Sequence, residues 1–247
     1  VTGAGRGIGR AVAEQLGAVG VAVALVARTQ SELDEVAEAI VGAGGRAIAL
    51  SADVAEADEI ARVVTESTRQ LGVIDILINN AAIIGPLGSF AKIDLDEWVY
   101  ADAINVLAPV RFTHALLPAM FDAGWGRIVN VSTGAVNNPK RDDTYNAYIA
   151  TKSALEGHTL NLAAELEGSG VTVNGFRPGI VDTSMQTQIR SQDPQRIGAA
   201  FHQKFLQRFL DGQLTSPDVP ARVLLEMLEG DQNGEIVSAR VPEAKKS

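Results

Sequence analysis

Tyr148 and Lys152 enclose Ile149-Ala150-Thr151, which puts a phenol and an ammonium at i and i+4 on one face of a helix. A free tyrosine titrates near about 10. A neighbouring cation favours the phenolate, so such a hydroxyl exchanges protons more readily near neutrality. The same spacing also describes an ordinary exposed helix surface, and it is the surrounding residues that favour chemistry. Ser132 and Thr133 stand at the tip of the apolar run 127–131. Alternation along a strand puts their side chains on opposite faces, so that one hydroxyl looks into a crevice. Asn105 lies mid-helix, with Pro109 four residues on. Lacking an N–H, Pro109 frees the Asn105 carbonyl, which predicts a bend and an ordered water nearby, or simply a helix curved around the core.

A second group of residues suits a phosphate. Gly3, Gly5, Gly7 and Gly9, with Arg6 and Ile8 between them, lead straight into a helical pattern. Backbone N–H groups at such a helix start face an anion. The glycines read G-x-x-x-G-x-G rather than G-x-G-x-x-G, and an ordinary tight turn accounts for them equally well when taken alone. Arg28 follows directly on the apolar run 21–27, at the strand end where an acid would grip a ribose 2′-hydroxyl and an arginine a 2′-phosphate. Arg6 could reach the same phosphate. Charge-assisted bonds contribute roughly 1.5 to 3 kcal/mol each, so the pair would favour NADPH over NADH by roughly two to four orders of magnitude at best. Asp53, with Val54, ends the run 46–51 and could bond an adenine amine, or cap the next helix. Asn79-Asn80-Ala81-Ala82 ends the run 74–78, where a turn or a ligand would each explain the asparagines.

The elements that must hold these groups alternate strand and helix from end to end, without repeat, low-complexity tract or linker. That pattern predicts a single α/β domain over residues 1–247, a doubly wound Rossmann-type parallel sheet with helices on both faces. Strands are expected at 21–27, 46–51, 74–78, 126–131, 171–176 and 234–238. Thr29 with Glu32, and Asp94 with Glu97, form capping boxes for helices through 41 and from 95 to about 120. The glycine turn comes at the start of the sequence, so the strand expected before it looks trimmed. Residues 137–146, including Arg141-Asp142-Asp143, form a polar loop, and the tail 243–247 is loose. Residues 184–216 are helical in pieces, with Phe201, Phe205, Leu206, Phe209 and Leu210 clustered, as either a substrate lid or a packed satellite.

At 46% hydrophobic over 247 residues the chain can bury a substantial core. A net charge of -9 argues against nucleic acid or an anionic membrane as partner. With no cysteine there is no disulfide framework or thiolate metal site, which suits a reducing cytoplasm. His114, His158 and His202 match no metal spacing. No uninterrupted apolar run is long enough to span a bilayer, and no G-x-S-x-G elbow occurs.

Taken in order, the glycine turn, Asn79-Asn80-Ala81, Asn105, Ser132-Thr133, Tyr148/Lys152 and Pro178-Gly179 resemble the short-chain dehydrogenase/reductases over nearly the whole chain. The resemblance implies NAD(P)-dependent hydride transfer. It makes Tyr148 the proton donor, Lys152 the group on the nicotinamide ribose, a strand-tip hydroxyl the carbonyl-polarising group and Asn105 the holder of a relay water. Thr133 aligns with the family's serine and Ser132 is the alternate. Cofactor contacts are implied at the glycine turn, Arg28, Asp53, Val54, Asn80, Ala81, Tyr148, Lys152, Pro178, Gly179, Ile180 and Thr183. The family's Asn-Asn-Ala-Gly ends here in Ala82, and the loop before Tyr148 is about two residues longer than usual. Residues 178–186, 214–217 and 234–237 look like the sepiapterin and benzil reductase branch, which implies NADPH-dependent reduction of vicinal dicarbonyls. No acid in Val237-Ser238-Ala239-Arg240 would anchor a pterin, so an aromatic or aliphatic diketone fits better. A 3-oxoacyl reductase or secondary alcohol dehydrogenase, and a dinucleotide-binding sensor or scaffold without turnover, are the rival readings. The family's habit of pairing subunits through the helices at 95–120 and 148–167 implies a homodimer or homotetramer.

Overall fold

The computed structural model describes residues 1–140 and 144–239; the expected loop residues Arg141, Asp142 and Asp143, and the tail from Arg240 onward, lie outside the described residues. Apolar runs that can be buried on both faces become parallel strands. Strand β1 (Ala22–Ala27) pairs with β2 (Arg46–Ser51), Ala22 lying opposite Arg46 and Ala27 opposite Ser51. A second ladder runs β3 (Ile76–Asn79), β4 (Gly126–Val131), β5 (Val171–Arg177), β6 (Ile236–Ser238), again all parallel. Val1 to Ala4 join the two ladders. Thr2 N donates to Ile78 O (3.0 Å) on one side, and Val26 N to Val1 O (3.0 Å) on the other. The resulting order is β2, β1, residues 1–4, β3, β4, β5, β6.

Successive residues of a strand face opposite sides, and the two sides here carry separate cores. Val23, Leu25, Ile78, Val129 and Phe176 pack with helices α1 (Gly7–Ala18), α2 (Gln30–Gly42) and α10 (Asp218–Glu229). Val26, Leu77, Ile128 and Val173 pack with α3 (Ala57–Leu71), α5 (Ala108–Ala123) and α6 (Asn146–Glu165). This is the expected single-domain, doubly wound arrangement. Several expected strands begin one or two residues early, at 21, 74 and 234, as element ends generally do.

One local expectation needs correction. Thr29 is the N-cap of α2, but its side chain accepts no capping bond, and Glu32 turns away to pair with Arg6. By contrast Asp94 caps α4 (Leu95–Asp102) by accepting from Asp96 N (2.8 Å) and Glu97 N (3.4 Å). The bend expected at Pro109 takes the form of a π turn, Ala103–Leu107, inserted between α4 and α5. Such a turn is one way a helix absorbs a missing donor. The whole stretch Leu95–Ala123 is long and apolar enough, by length and composition, to cross a membrane, although charged residues such as Asp102 and Arg111 interrupt it. Its Phe112, Leu116 and Met120 are nevertheless spent on the sheet.

Beyond the strand tips a third cluster forms. Phe201 and Phe205 of α9 (Ala199–Leu210), Ile189 of α7 (Ser184–Arg190) and Ile197 of α8 (Pro194–Ile197) pack on Ile84, Leu87 and Tyr145. Phe209 and Leu210, expected in this cluster, are exposed instead.

Candidate active site

Parallel strands leave a crevice beyond their C-terminal ends, where the chain departs to opposite faces. Here it is a cleft of about 820 Å³, floored by the strand tips and roofed in part by α7 and α9. Of the candidate catalytic and cofactor-binding residues, all line it except Gly5, Gly9 and Asn105.

The glycine turn owes its shape to two close approaches. Gly3 has φ +66°, and a Cβ there would lie 2.8 Å from Asn80 Nδ2. A Cβ on Gly9 would lie 2.2 Å from Gly3 O and 2.5 Å from Asn80 Nδ2. Asn80 holds this turn from below, its Nδ2 donating to Thr2 O (2.9 Å) and Gly3 O (3.2 Å). No side chain caps the start of α1, and Gly7 and Ile8 in its first turn line the cleft. Backbone donors there suit a pyrophosphate.

At the same end of the cleft lie Arg6, Arg28, Glu32 and Asp53. Arg6 Nη1 is 3.4 Å from Glu32 Oε1. Arg28 Nη1 donates to Tyr100 Oη at 3.4 Å, and that hydroxyl donates to Asp53 Oδ2 at 2.6 Å. Asp53 Oδ1 accepts from Ala55 N (3.0 Å), so the carboxylate braces a turn as well as Tyr100. Burial, and then the bond to Asp53, push the Tyr100 phenol above its ordinary value. Sequence reasoning missed Tyr100, because it reaches across from α4 to the ends of two distant strands.

At the other end stands the Tyr148 and Lys152 pair, one turn apart on α6. Lys152 is 1% exposed, and its Nζ donates to Val131 O at 2.6 Å, at the end of β4. Burial lowers its pKa to about 8, and the charge of Glu156 opposes that shift. Burial pushes Tyr148 up to about 12, opposed by a hydrogen bond with the Thr133 side chain. The expected lowering of the phenol by its ammonium neighbour does not appear; burial sets the direction, and at neutral pH the phenol keeps its proton.

The two strand-tip hydroxyls diverge, but not to opposite faces as expected. The strand ends at Val131, so the pleat no longer dictates direction beyond it. Both side chains meet α6, at sites eight residues apart, about 12 Å along the helix. Thr133 meets Tyr148, whereas Ser132 Oγ donates to Glu156 Oε1 at 2.7 Å. Asn105 is fully buried, with Oδ1 accepting from Ile83 N (2.9 Å) and Nδ2 donating to Ile83 O (2.9 Å) and Thr151 Oγ1 (3.1 Å). Its side chain therefore ties the π turn to α6 and to the segment after β3. Glu156 and Arg177 also went unnoticed in the sequence. Position 156 continues the 148, 152 series by one more turn, and that periodicity was the available signal. Among the described residues no cluster of metal-ligating side chains occurs.

A glycine turn at a helix start, an arginine-bearing pocket and a buried Tyr/Lys couple in one crevice define a dinucleotide-binding α/β protein. The family model for short chain dehydrogenases matches residues 1–194, and the chain belongs to that family. A short chain dehydrogenase of Pseudocercospora fijiensis is 37% identical over 187 residues, 75% of this chain and 60% of that protein, so the chain spans less than two thirds of that relative. A 3-oxoacyl-acyl-carrier-protein reductase of Synechocystis sp. is 34% identical over 195 residues, 78% of this chain and 77% of that one. The crystal structure of an actinorhodin polyketide ketoreductase variant with NADPH is 28% identical with a TM-score of 0.85, covering 96% of this chain and 93% of that one.

Proposed function

We propose that the protein is an NADPH-dependent carbonyl reductase acting on a ketone or vicinal dicarbonyl. The observation that carries this reading is the contact between the Thr133 side chain and a Tyr148 phenol that burial keeps protonated, beside the buried Lys152. The uncapped start of α1 and the close-packed glycine turn would hold a pyrophosphate, with Arg6 and Arg28 placed for a 2′-phosphate. Bound NADPH supplies the hydride. Thr133 orients the carbonyl oxygen by donating to it, and Tyr148 delivers its phenolic proton to the oxygen as negative charge develops there. Lys152 places positive charge behind the phenol, lowering the cost of the phenolate that remains. Asn105 fixes the π turn against α6, and the pieces at 184–210 act as a lid whose apolar cluster excludes water.

The test is loss of nicotinamide absorbance with a panel of diketones, ketones and aldehydes. Wild type should turn over at least one carbonyl, and Tyr148→Phe should lower kcat by about a hundredfold or more, as for removal of a general acid. Full activity in Tyr148→Phe would sink the reading. The rival 3-oxoacyl reductase reading draws on the Synechocystis relative, and the panel decides it if a 3-oxoacyl thioester is the better substrate. A sensor or scaffold would bind NADPH tightly and reduce nothing. Assembly as a homodimer or homotetramer belongs to the same proposal. It is supported by Leu95, Val99, Leu107, Phe121 and Leu160, all left exposed on α4, the π turn, α5 and α6.

A further inference from the structure

We propose that Glu156 is the positioning residue of this site: one carboxylate clamps Ser132 and Arg177 while facing Lys152, and so sets both the placement of the strand tips and the charge behind Tyr148. The inference rests on the reductase reading for its role in catalysis, but its geometry stands apart from it. Glu156 Oε1 accepts from Ser132 Oγ (2.7 Å) and from Arg177 Nε (2.8 Å), and Oε2 accepts from Arg177 Nη2 (2.7 Å). The two charged side chains are only 13% and 15% exposed. The remaining arm of Arg177, Nη1, reaches Asn137 Oδ1 (2.7 Å) in the short 3-10 turn Gly134–Asn137 that follows Thr133.

A buried ion pair is a weak source of stability, because desolvating both ions offsets their attraction. What a bidentate, planar pair does supply is fixed geometry. Each partner of Glu156 is the immediate neighbour of a group in the cleft. Ser132 precedes Thr133, and Arg177 precedes Pro178, which lines the cleft beside Gly179. Tyr148, Lys152 and Glu156 are spaced four residues apart on α6, about 6 Å per step. A single carboxylate therefore registers the tips of β4 and β5 against the helix that carries the proton donor. Ser132, the alternate for the carbonyl-binding hydroxyl, is assigned by this geometry to the clamp.

The clamp is also electrostatic. The charged group acting on Lys152 is Glu156 on its own helix, which raises its proton affinity, and Arg177 from β5 pairs with Glu156 and so offsets that charge. Tyr148 lies one turn earlier on α6 and is neutral below its raised pKa. From the end of β4 comes the Val131 carbonyl, followed by the neutral hydroxyls of Ser132 and Thr133, and from the π turn the neutral Asn105, bonded to Thr151. Removing the carboxylate should make Lys152 lose its proton at lower pH, and removing the guanidinium should have the opposite effect.

The test follows the ε-carbon resonance of Lys152 against pH in carbon-13 lysine-labelled protein, assigned by its loss in Lys152→Arg. No substrate is needed. Relative to wild type, the midpoint should fall by about one pH unit in Glu156→Gln and rise by about as much in Arg177→Gln. The high-pH limb of kcat with NADPH and the best carbonyl of the panel should move with it in both variants. Glu156→Asp, which keeps the charge on a shorter arm, should keep the midpoint while lowering kcat. Shifts of the same sign, or none, overturn the proposal. If Glu156→Gln does not fold, Arg177→Gln alone decides: an unmoved midpoint overturns it. Opposed shifts in the two variants, with a wild type that reduces no carbonyl, refute the reductase reading and leave the clamp standing.

Discussion

Thr133 and Ser132 are adjacent hydroxyls of nearly identical chemistry, and only their partners separate them. Thr133 meets the phenol and Ser132 meets a carboxylate of the Glu156 ion pair. Thr133→Ala should therefore cost about ten- to a thousandfold in kcat with little loss of melting temperature, since it removes a donor to the developing oxyanion. Ser132→Ala should leave one lone pair of Glu156 unpaired and lower stability by about 1 to 3 kcal/mol, read in urea denaturation, with a smaller effect on kcat. The reverse ranking of the two kcat losses would reassign the carbonyl-binding hydroxyl. Lys152 gives a pH signature of its own. Its ordinary value of 10.5 is lowered by burial to about 8 in the folded protein. Between those values the unfolded chain holds a proton that the folded chain has released, so this group makes stability rise with pH across that window. Relative to Lys152→Met, denaturation midpoints of the wild type should climb from about pH 8 to about pH 10, and a falling difference would contradict the burial of its charge. Tyr148, Lys152 and the strand-tip hydroxyls were legible because spacing on one helix or at one strand end survives folding unchanged. Tyr100, Glu32 and Arg177 were not, since their partners lie 21 to 72 residues away and nothing local marks them.

At the scale of elements, period and length sufficed for most of the sheet and its covering helices. Continuous apolar runs and capped, amphipathic stretches each admit one economical reading. The failures fall where a side chain had two uses. Glu32 sits three residues beyond Thr29, as a capping box requires, yet its carboxylate goes to Arg6 and its stem packs against Gly5. The π turn around Asn105 was foreshadowed by Pro109, but propensity alone could not choose between a bend and an inserted residue. The glycine turn gives the sharpest prediction at this scale. In Gly9→Ala the new methyl would stand 2.2 Å from a backbone oxygen, so the turn must open. NADPH affinity, measured by fluorescence quenching, should fall at least about tenfold, whereas Gly42→Ala, where a Cβ meets nothing within 4 Å, should bind as wild type. Unchanged binding by Gly9→Ala would mean that the turn does not hold the pyrophosphate.

For the whole molecule, the cleft spans both ladders, with Arg28 just beyond β1 and Tyr148 beside β4. A ligand filling it would tie the two halves of the sheet together. At a hundredfold excess over its dissociation constant, NADPH should stabilise by about 2.7 kcal/mol, a rise in melting temperature of about 5 to 10 °C for a chain of this size. NADH at the same concentration should give less. Arg28→Ala should erase most of that difference, and equal losses for both nucleotides would refute the 2′-phosphate assignment. The identity of the substrate is the part of function least visible in sequence, because it depends on the shape made by α7, α8 and α9.

Tyr145 stands where that shape meets the chemistry. Its ring lies 4.7 Å from Phe201 and 6.0 Å from Phe205 on α9, and 5.8 Å from Tyr148 on α6. A guest that nudges α9 outward or inward thus pushes on Tyr148 through a single intervening ring. Selectivity and turnover in this protein should then be hard to tune separately: remodelling Phe205, which lines the cleft, to admit a bulkier molecule would also shift Tyr145 against the Tyr148 phenol.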